Sequence, residues 1–138
     1  MSCRAELRGF GAINDEIRRL GARLVAVSVD KPRSARKLVD RYKLPFPLLS
    51  DESREVVRRY GLVHAGGGPD GQDIPVPALL IIDTDGRIEW AHVARRVQDR
   101  VNPDMLLEHL RHRAPKERNE STVTGEAGSG GAVGQPPR

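Results

Sequence analysis

Cysteine, aromatic residues and long apolar runs are all scarce in this sequence of 138 residues. A single cysteine excludes an internal disulfide framework and a cysteine-rich zinc site. Aromatic residues make up 4% of the chain, so the core must be aliphatic. No apolar run approaches the 18 residues of a membrane span, and no apolar signal core opens the sequence. We therefore expect a cytoplasmic protein with no membrane partner.

The charged residues give a net charge of +4, from 23 Lys and Arg against 19 Asp and Glu. Most basic residues stand beside acidic ones within predicted helices, as Glu55, Arg58 and Arg59 do, which is typical of solvated faces. A nucleic-acid surface needs basic residues clustered on one side, ideally with stacking aromatic side chains. The sequence has neither feature, so we expect no nucleic-acid partner.

The four histidines do not form a metal-ligand pattern with carboxylates at helical spacing, and no metal site or cofactor is expected. His109 and His112 are three residues apart near a basic helix end. There the helix dipole favours positive charge, so we expect both at the surface.

Hydrophobic periodicity predicts alternating helices and strands. Apolar residues recur at three- and four-residue steps over residues 3–20, which predicts a helix that Gly21 ends. The aliphatic run 24–29 lacks polar alternation and predicts a strand covered on both faces. The further expected elements are a helix opened by residues 30–34 and reaching Tyr42, a short extended piece at 48–49, a helix capped by Ser50-Asp51 and closed by Gly61, a hairpin of strands 76–83 and 87–93, and a last helix started by Asn102-Pro103-Asp104 with Met105, Leu106 and Leu110 on one side. This order indicates an α/β fold with right-handed crossovers between parallel neighbours.

Two segments are predicted to lack regular structure. Residues 64–75 are rich in glycine but lack a phosphate-loop Lys-Ser/Thr and a dinucleotide fingerprint, so we interpret them as a flexible, linker-like insertion. Residues 115–138 consist of Gly, Ser, Pro and charged residues with almost nothing to bury, which predicts a disordered tail. The expected organisation is one domain over residues 1–114, followed by that tail.

The single cysteine, Cys3, stands at the predicted start of the first helix, in Ser2-Cys3-Arg4-Ala5-Glu6-Leu7. Glu6 has the spacing at which a first-turn carboxylate reaches back to a free backbone amide. The unpaired N–H groups of a first helical turn create a positive field, which favours the nucleophilic thiolate over the thiol. The alternative is that Cys3 is a small buried hydrophobic residue without chemistry. Position alone leaves both interpretations open.

Five short motifs follow one another along the chain. They are Cys-x-x-Glu-Leu at 3–7, Ser-Val-Asp at 28–30, Leu-Pro-Phe-Pro-Leu-Leu-Ser-Asp at 44–51, Tyr-Gly-Leu at 60–62 and Val-Pro-Ala-Leu-Leu-Ile-Ile-Asp-x-Asp-Gly-Arg-Ile at 76–88. With these motifs the sequence resembles, from Cys3 to about Leu110, the peroxiredoxin-like redoxins of the alkyl hydroperoxide reductase/thiol-specific antioxidant (AhpC/TSA) group. The resemblance implies a thioredoxin-like fold, in which a mixed sheet is flanked by helices.

The resemblance also implies a role for Cys3, which matches the peroxidatic cysteine of the family. Its thiolate would attack a peroxide oxygen and become a sulfenic acid, which another thiol would then reduce back to the free cysteine. Because the sequence has no second cysteine, that thiol would come from outside: thioredoxin, glutathione or a partner chain. The implied partners are thus a hydroperoxide substrate and an external thiol reductant, and a homodimer is compatible with the same resemblance.

Val76 and Pro77 match the cis-proline site of thioredoxin-fold proteins, where a strand end lies beside the reactive cysteine. We therefore predict a cis Val76–Pro77 bond; the alternative is a proline that simply starts a strand. Pro77 stands close to where peroxiredoxins proper carry an arginine that holds thiolate and peroxide, which favours the thioredoxin-like branch. Arg4, next to the thiol, could supply that charge or point to solvent. The predicted site is Cys3 as nucleophile with Arg4, Val76 and Pro77 as substrate-binding residues.

The family also places an aliphatic strand and a short loop before its cysteine, whereas Met1 and Ser2 alone precede Cys3 in this sequence. That strand is the central one, lying between strands 24–29 and 77–83. Without it those two strands would be about 9.6 Å apart, too far for direct hydrogen bonds, and each would have an unpaired edge. Either the sheet closes up, another chain supplies a strand, or the polypeptide begins further upstream. We favour the last interpretation.

The leading functional hypothesis is a thiol-dependent peroxide reductase with Cys3 as its nucleophile. A thiol-disulfide oxidoreductase of thioredoxin type is the nearest alternative. Two further alternatives are not enzymes: a redox-inert fragment that acts as a binding module, and a basic interaction protein that uses its tail.

Overall fold

A computed structural model describes residues 3–96, 99 and 102–113, with only the backbone at Cys3. Within these ranges the elements are α1 (Cys3–Arg19), β1 (Ala26–Ser28), α2 (Pro32–Tyr42), β2 (Leu48–Ser50), α3 (Glu55–Arg59), β3 (Val63–His64), β4 (Ile74–Pro75), β5 (Ala78–Ile82), β6 (Ile88–Val93) and α4 (Pro103–His112). The predicted tail at 115–138 lies outside the described residues.

The first helix, α1, ends as its sequence predicts. Gly21 takes a φ of 82°, a left-handed conformation that costs glycine little because it has no Cβ. The Gly21 N–H donates to the carbonyl of Arg18 at 3.0 Å, and the Ala22 N–H donates to that of Ile17 at 3.1 Å. These two bonds form a Schellman motif, which satisfies carbonyls that the end of the helix leaves free.

β1 and β2 form a parallel ladder in which Val27 lies opposite Leu49. The prediction that residues 24–29 are covered on both faces is wrong for the described chain. Val27 is 48% exposed and Leu49 is 53% exposed, whereas Ala26 and Ser28, on the other face, are half-buried. Side chains alternate between the two faces of a strand, so one aliphatic face of this ladder is open to solvent.

In the described residues the strands fall into three two-stranded ladders: β1 with β2, β3 with β4, and β5 with β6. No ladder joins β1 to β5. The prediction that these strands do not bond directly is therefore confirmed, and the alternative that the sheet closes up is wrong. β1 and β5 each keep one edge free of any strand among the described residues.

Residues 64–75 form a closed hairpin rather than a linker, so the interpretation of a linker-like insertion is wrong. β3 and β4 pair antiparallel, with His64 opposite Ile74. The carboxylate of Asp73 accepts a hydrogen bond from the Gly66 N–H at 3.1 Å, and the Gly68 N–H donates to the carbonyl of Gln72 at 2.9 Å. An aspartate that bonds backbone groups within its own loop is a common device for ordering a turn.

β5 and β6 confirm the predicted hairpin, with Leu79 opposite His92 and Ile81 opposite Trp90. In the turn between them, the Asp83 carboxylate accepts hydrogen bonds from the N–H groups of Asp85 at 2.9 Å and Arg87 at 3.0 Å. Local sequence alone determines this turn, because Asp-Gly pairs favour tight hairpin connections.

α4 begins as predicted, because the Asn102 side chain accepts a hydrogen bond from the Asp104 N–H at 2.9 Å. Met105 is 40% exposed, so its expected place on the inner side of the helix is wrong. The helix buries three leucines, Leu106, Leu107 and Leu110, which join Ile17 and Ile81 in the main core. Phe10, Ile13, Leu20, Ala22, Leu24, Leu79 and Trp90 pack against that core.

The two C-terminal histidines have different surroundings. His112 is exposed as predicted. His109 is half-buried and stacks on Trp90, with ring centroids 5.0 Å apart and ring planes 26° from parallel. The surface prediction is therefore wrong for His109, whose ring helps to fasten α4 to β6.

Candidate functional site

Cys3 is the first residue of α1, so the prediction that a helix begins at the cysteine is confirmed. Its side chain lies outside the described part of the chain. Arg4 follows in the first turn and is exposed, and Arg8 is exposed one turn later. Residues four apart lie on the same helix face, so positive charge extends along α1 from its first turn.

Val76 and Pro77 connect β4 to β5. The Val76 N–H donates to the carbonyl of Leu62 at 2.8 Å, and the Pro77 carbonyl accepts from the Ala94 N–H at 2.9 Å. The Val76–Pro77 bond is trans, so the cis prediction is wrong. The bond lies between β4 and β5, and a proline just before a strand needs no N–H for the ladder. The alternative reading of Pro77, a proline that starts a strand, is the correct one.

α1 and β5 both contribute to the main core, through Ile17 and Ile81. Leu79 of β5 packs against that core, as do Phe10 and Ile13 of α1. The distance between the Cys3 sulfur and Pro77 falls outside the described atoms and stays a prediction.

Two polar residues lie at the ends of neighbouring strands, Ser28 at the end of β1 and Asp51 directly after β2, and sequence reasoning missed their arrangement. Asp51 is buried, and its carboxylate accepts hydrogen bonds from the N–H groups of Val56 at 3.2 Å and Val57 at 2.9 Å. Ser28 has a buried Oγ without a hydrogen-bond partner among the described residues. The Ser50-Asp51 pair did indicate a helix cap, but nothing local indicated that Asp51 would reach residues five and six positions later.

Within the described ranges, no group of three His, Cys, Asp or Glu side chains is arranged to hold a metal ion. The helices in those ranges are also too short or too polar to cross a membrane.

The match to known families decides the ancestry of the chain. A model of the AhpC/TSA family matches residues 1–91. The chain belongs to the AhpC/TSA family. The matched residues include Cys3 at the start of α1 and the whole of β5, so both halves of the predicted site lie within the family region.

The proteins similar to this chain include a peroxiredoxin and a thiol-disulfide oxidoreductase. Peroxiredoxin Bcp of Escherichia coli is 28% identical over 116 residues, which cover 81% of this chain and 71% of Bcp. The thiol-disulfide oxidoreductase ResA of Halalkalibacterium halodurans is 26% identical over 106 residues, which cover 76% of this chain and 54% of ResA. The chain spans about half the length of the first curated relatives it matches, from 41% to 54%.

The structure resembles that of reduced Prx3 from Vibrio vulnificus in complex with hydrogen peroxide. The two have a TM-score of 0.70 and are 21% identical, over 77% of this chain and 66% of Prx3. At this identity the likeness concerns the fold. It confirms the predicted α/β, thioredoxin-like fold, although the described strands form separate ladders rather than one continuous mixed sheet.

Proposed function

We propose that this AhpC/TSA family member is a thiol-dependent peroxide reductase and that Cys3 is its nucleophile. The observation that carries the proposal is the position of the only cysteine in the sequence, at the first residue of α1 inside the family region. The first-turn N–H groups of a helix have no intrahelical partners, and their partial positive charge favours a thiolate. A thiolate is the reactive form of cysteine.

The proposed reaction has two steps. The Cys3 thiolate attacks one oxygen of the hydroperoxide; the O–O bond breaks, and with one proton the products are a sulfenic acid and an alcohol or water. Two equivalents of an external thiol then reduce the sulfenic acid, giving a disulfide, water and the free thiol of Cys3. The sequence contains no second cysteine to take over the resolving step.

Arg4, Val76 and Pro77 are the substrate-binding residues of this proposal. Arg4 is exposed in the first turn of α1, where a guanidinium would favour both the thiolate and the polar peroxide. Val76 and Pro77 are half-buried and lead into β5, whose Leu79 packs against the same core as Phe10 and Ile13 of α1. They would shape the apolar side of the substrate channel.

The reductant, the cellular location and the oligomeric state are part of the same proposal. The reductant is an external thiol such as thioredoxin or glutathione, and the protein acts in the cytoplasm. A homodimer would agree with family membership. Similarity to peroxiredoxin Bcp of E. coli supports the peroxide substrate.

The second candidate is thiol-disulfide exchange, which similarity to ResA favours. Proline in place of the arginine of peroxiredoxins at position 77 agrees with this candidate. In that case Cys3 would attack a disulfide sulfur and form a mixed disulfide, which a second external thiol would release. Both candidates use the same nucleophile and differ in the bond that it attacks.

The test compares the full chain with Cys3→Ser. With dithiothreitol as reductant, we expect the full chain to consume hydrogen peroxide and cumene hydroperoxide, and Cys3→Ser to fall to the rate without protein. Intact-mass spectrometry after peroxide alone should show one added oxygen in the full chain and none in the variant. Reduction of a small disulfide, such as oxidised glutathione, measures the second candidate in the same samples.

A peroxide rate that survives in Cys3→Ser would contradict the proposal. Disulfide reduction without peroxide consumption would replace it by the second candidate. If the full chain had neither activity and an ordinary alkylation rate at Cys3, the redox-inert alternative would be correct. Arg4→Gln tests the neighbouring charge: we expect peroxide consumption to slow by about tenfold, the effect of about 1.4 kcal/mol on the barrier.

A further inference from the structure

A cavity away from the start of α1 lies where the middle of that helix meets the chain after α2. Its volume is about 230 Å³. The lining comes from α1 and from the segment that ends α2, namely Arg8, Gly11, Ala12, Tyr42, Lys43, Leu44 and Pro45. Ligand pockets for drug-sized molecules usually exceed about 300 Å³, so this cavity suits a smaller ligand.

The charges of the cavity are of one sign. Arg8 and Lys43 line it, and no acidic residue among those that the structure describes does. Neither cation forms an ion pair with a carboxylate in the described part of the chain, in contrast to Arg58 with Asp73 or Arg113 with Glu89. A third cation, Arg41, lies over the ring of the lining residue Tyr42, 5.7 Å from its centroid. Two unpaired cations at one concave site attract an anion.

Lys43 occupies a backbone conformation that a side chain disfavours. After α1 and after α3 the residue in the left-handed conformation is a glycine, Gly21 or Gly61. After α2 it is Lys43, with a φ of 47°. Glycine is the usual residue at this place because it has no Cβ. Of these three residues, the one whose side chain lines the cavity is Lys43, and it is the one with a strained backbone. Such local strain often accompanies a binding role.

Three of the lining residues have apolar side chains. Ala12, Leu44 and Pro45 contribute no polar side-chain atom, and Leu44 is buried. Gly11 brings α1 close to Pro45 here: a Cβ built at Gly11 would be in van der Waals contact with Cδ of Pro45, at 3.5 Å. We propose that this cavity binds a small organic carboxylate, whose charged end pairs with Arg8 and Lys43 and whose apolar body lies against Leu44 and Pro45. Arginine matches a carboxylate with two parallel hydrogen bonds.

Benzoate is the probe, because it joins a carboxylate to one flat apolar ring. A titration of the full chain with benzoate, followed by amide NMR shifts, should give saturable changes at Gly11, Ala12 and Leu44. Benzamide has the same ring without the charge, and inorganic phosphate has charge without the ring. We expect both to bind about tenfold more weakly or worse, the loss of roughly one charge-assisted contact.

Lys43→Gly is the decisive variant, because it removes the cation and relieves the strained backbone together. We expect benzoate affinity to fall by about tenfold while the melting temperature rises, so that weaker binding cannot be attributed to unfolding. Arg8→Gln should weaken binding to a similar degree. Lys37→Ala is the matched control: it removes an exposed cation of α2 that does not line the cavity, and should change affinity by less than about twofold.

Four results would overturn the proposal: no saturable shifts with benzoate, benzamide binding as tightly as benzoate, phosphate binding as tightly as benzoate, or unchanged affinity in Lys43→Gly. The site is independent of the proposed peroxide chemistry, so Cys3→Ser should bind benzoate like the full chain. A failed titration would leave the activity of Cys3 untouched, and an inactive Cys3 would leave the titration unchanged.

Discussion

The Oδ2 atom of Asp51 accepts a hydrogen bond from the backbone N–H of Val57 at 2.9 Å. The other carboxylate oxygen accepts one from the Val56 N–H at 3.2 Å, and the Asp51 N–H itself donates to the carbonyl of Ser28 at 2.7 Å. Asp51, which is buried, therefore joins the end of β1 through its backbone N–H to the start of α3 through its carboxylate. Two N–H groups that a helix start leaves unpaired find their partner here.

Removing this carboxylate should destabilise the protein. Asp51→Ala leaves the buried N–H of Val57 without a partner, which costs about 2 kcal/mol of unfolding free energy. Asp51→Asn retains one acceptor oxygen, so we expect a smaller loss. Urea denaturation followed by circular dichroism measures both changes.

Asp70→Ala is the control for this prediction, because Asp70 is exposed in the loop between β3 and β4. Its effect should stay within about 0.5 kcal/mol. Equal stability of Asp51→Ala and Asp70→Ala would mean that the bonds of Asp51 to α3 contribute nothing in solution.

Sequence alone predicted the parts of the fold that local chemistry determines. Gly21 ends α1, Asn102 caps α4, and the turn from Asp83 to Gly86 makes a hairpin. In each case the deciding hydrogen bonds join residues no more than five positions apart. The AhpC/TSA motifs added the thioredoxin-like fold and the expected role of Cys3, which periodicity could not supply.

The predictions that failed depend on distant contacts. The Val76–Pro77 bond is trans in a segment that hydrogen-bonds to Leu62 on one side and Ala94 on the other, and no neighbouring residue type reveals those partners. The aliphatic side chains of residues 24–29 predict a buried strand, but they do not indicate whether another element of the fold covers it. The cavity of Arg8 and Lys43 needs two segments far apart in sequence to meet, so no single motif could have indicated it.

The stack of Trp90 on His109 should contribute measurably to stability, since it joins β6 to α4. His109→Ala removes the ring 5.0 Å from Trp90, and we expect a loss of about 1 kcal/mol. Trp90 is the only tryptophan of the sequence, so its fluorescence reports this contact directly. Its emission should shift to longer wavelength in His109→Ala as water reaches the indole.

His112→Ala is the matched control, because His112 lies on the same helix, is exposed, and has no ring contact with Trp90 among the described residues. It should leave the emission wavelength unchanged and alter stability by less than about 0.5 kcal/mol. If the two variants behaved alike, the stack would not contribute in solution.

Two valines test whether the outer face of β1 is open. Val27 is 48% exposed on that face, whereas Val57 in α3 is 9% exposed. Val→Thr replaces a methyl group by a hydroxyl of similar size, so its cost reports burial. We expect Val57→Thr to lose about 1–3 kcal/mol, because the hydroxyl must leave water, and Val27→Thr to lose less than about 0.5 kcal/mol. Urea denaturation at several protein concentrations measures both.

A loss at Val27 as large as that at Val57 would contradict the open face, and a loss that grows with protein concentration would mean that a second chain covers it.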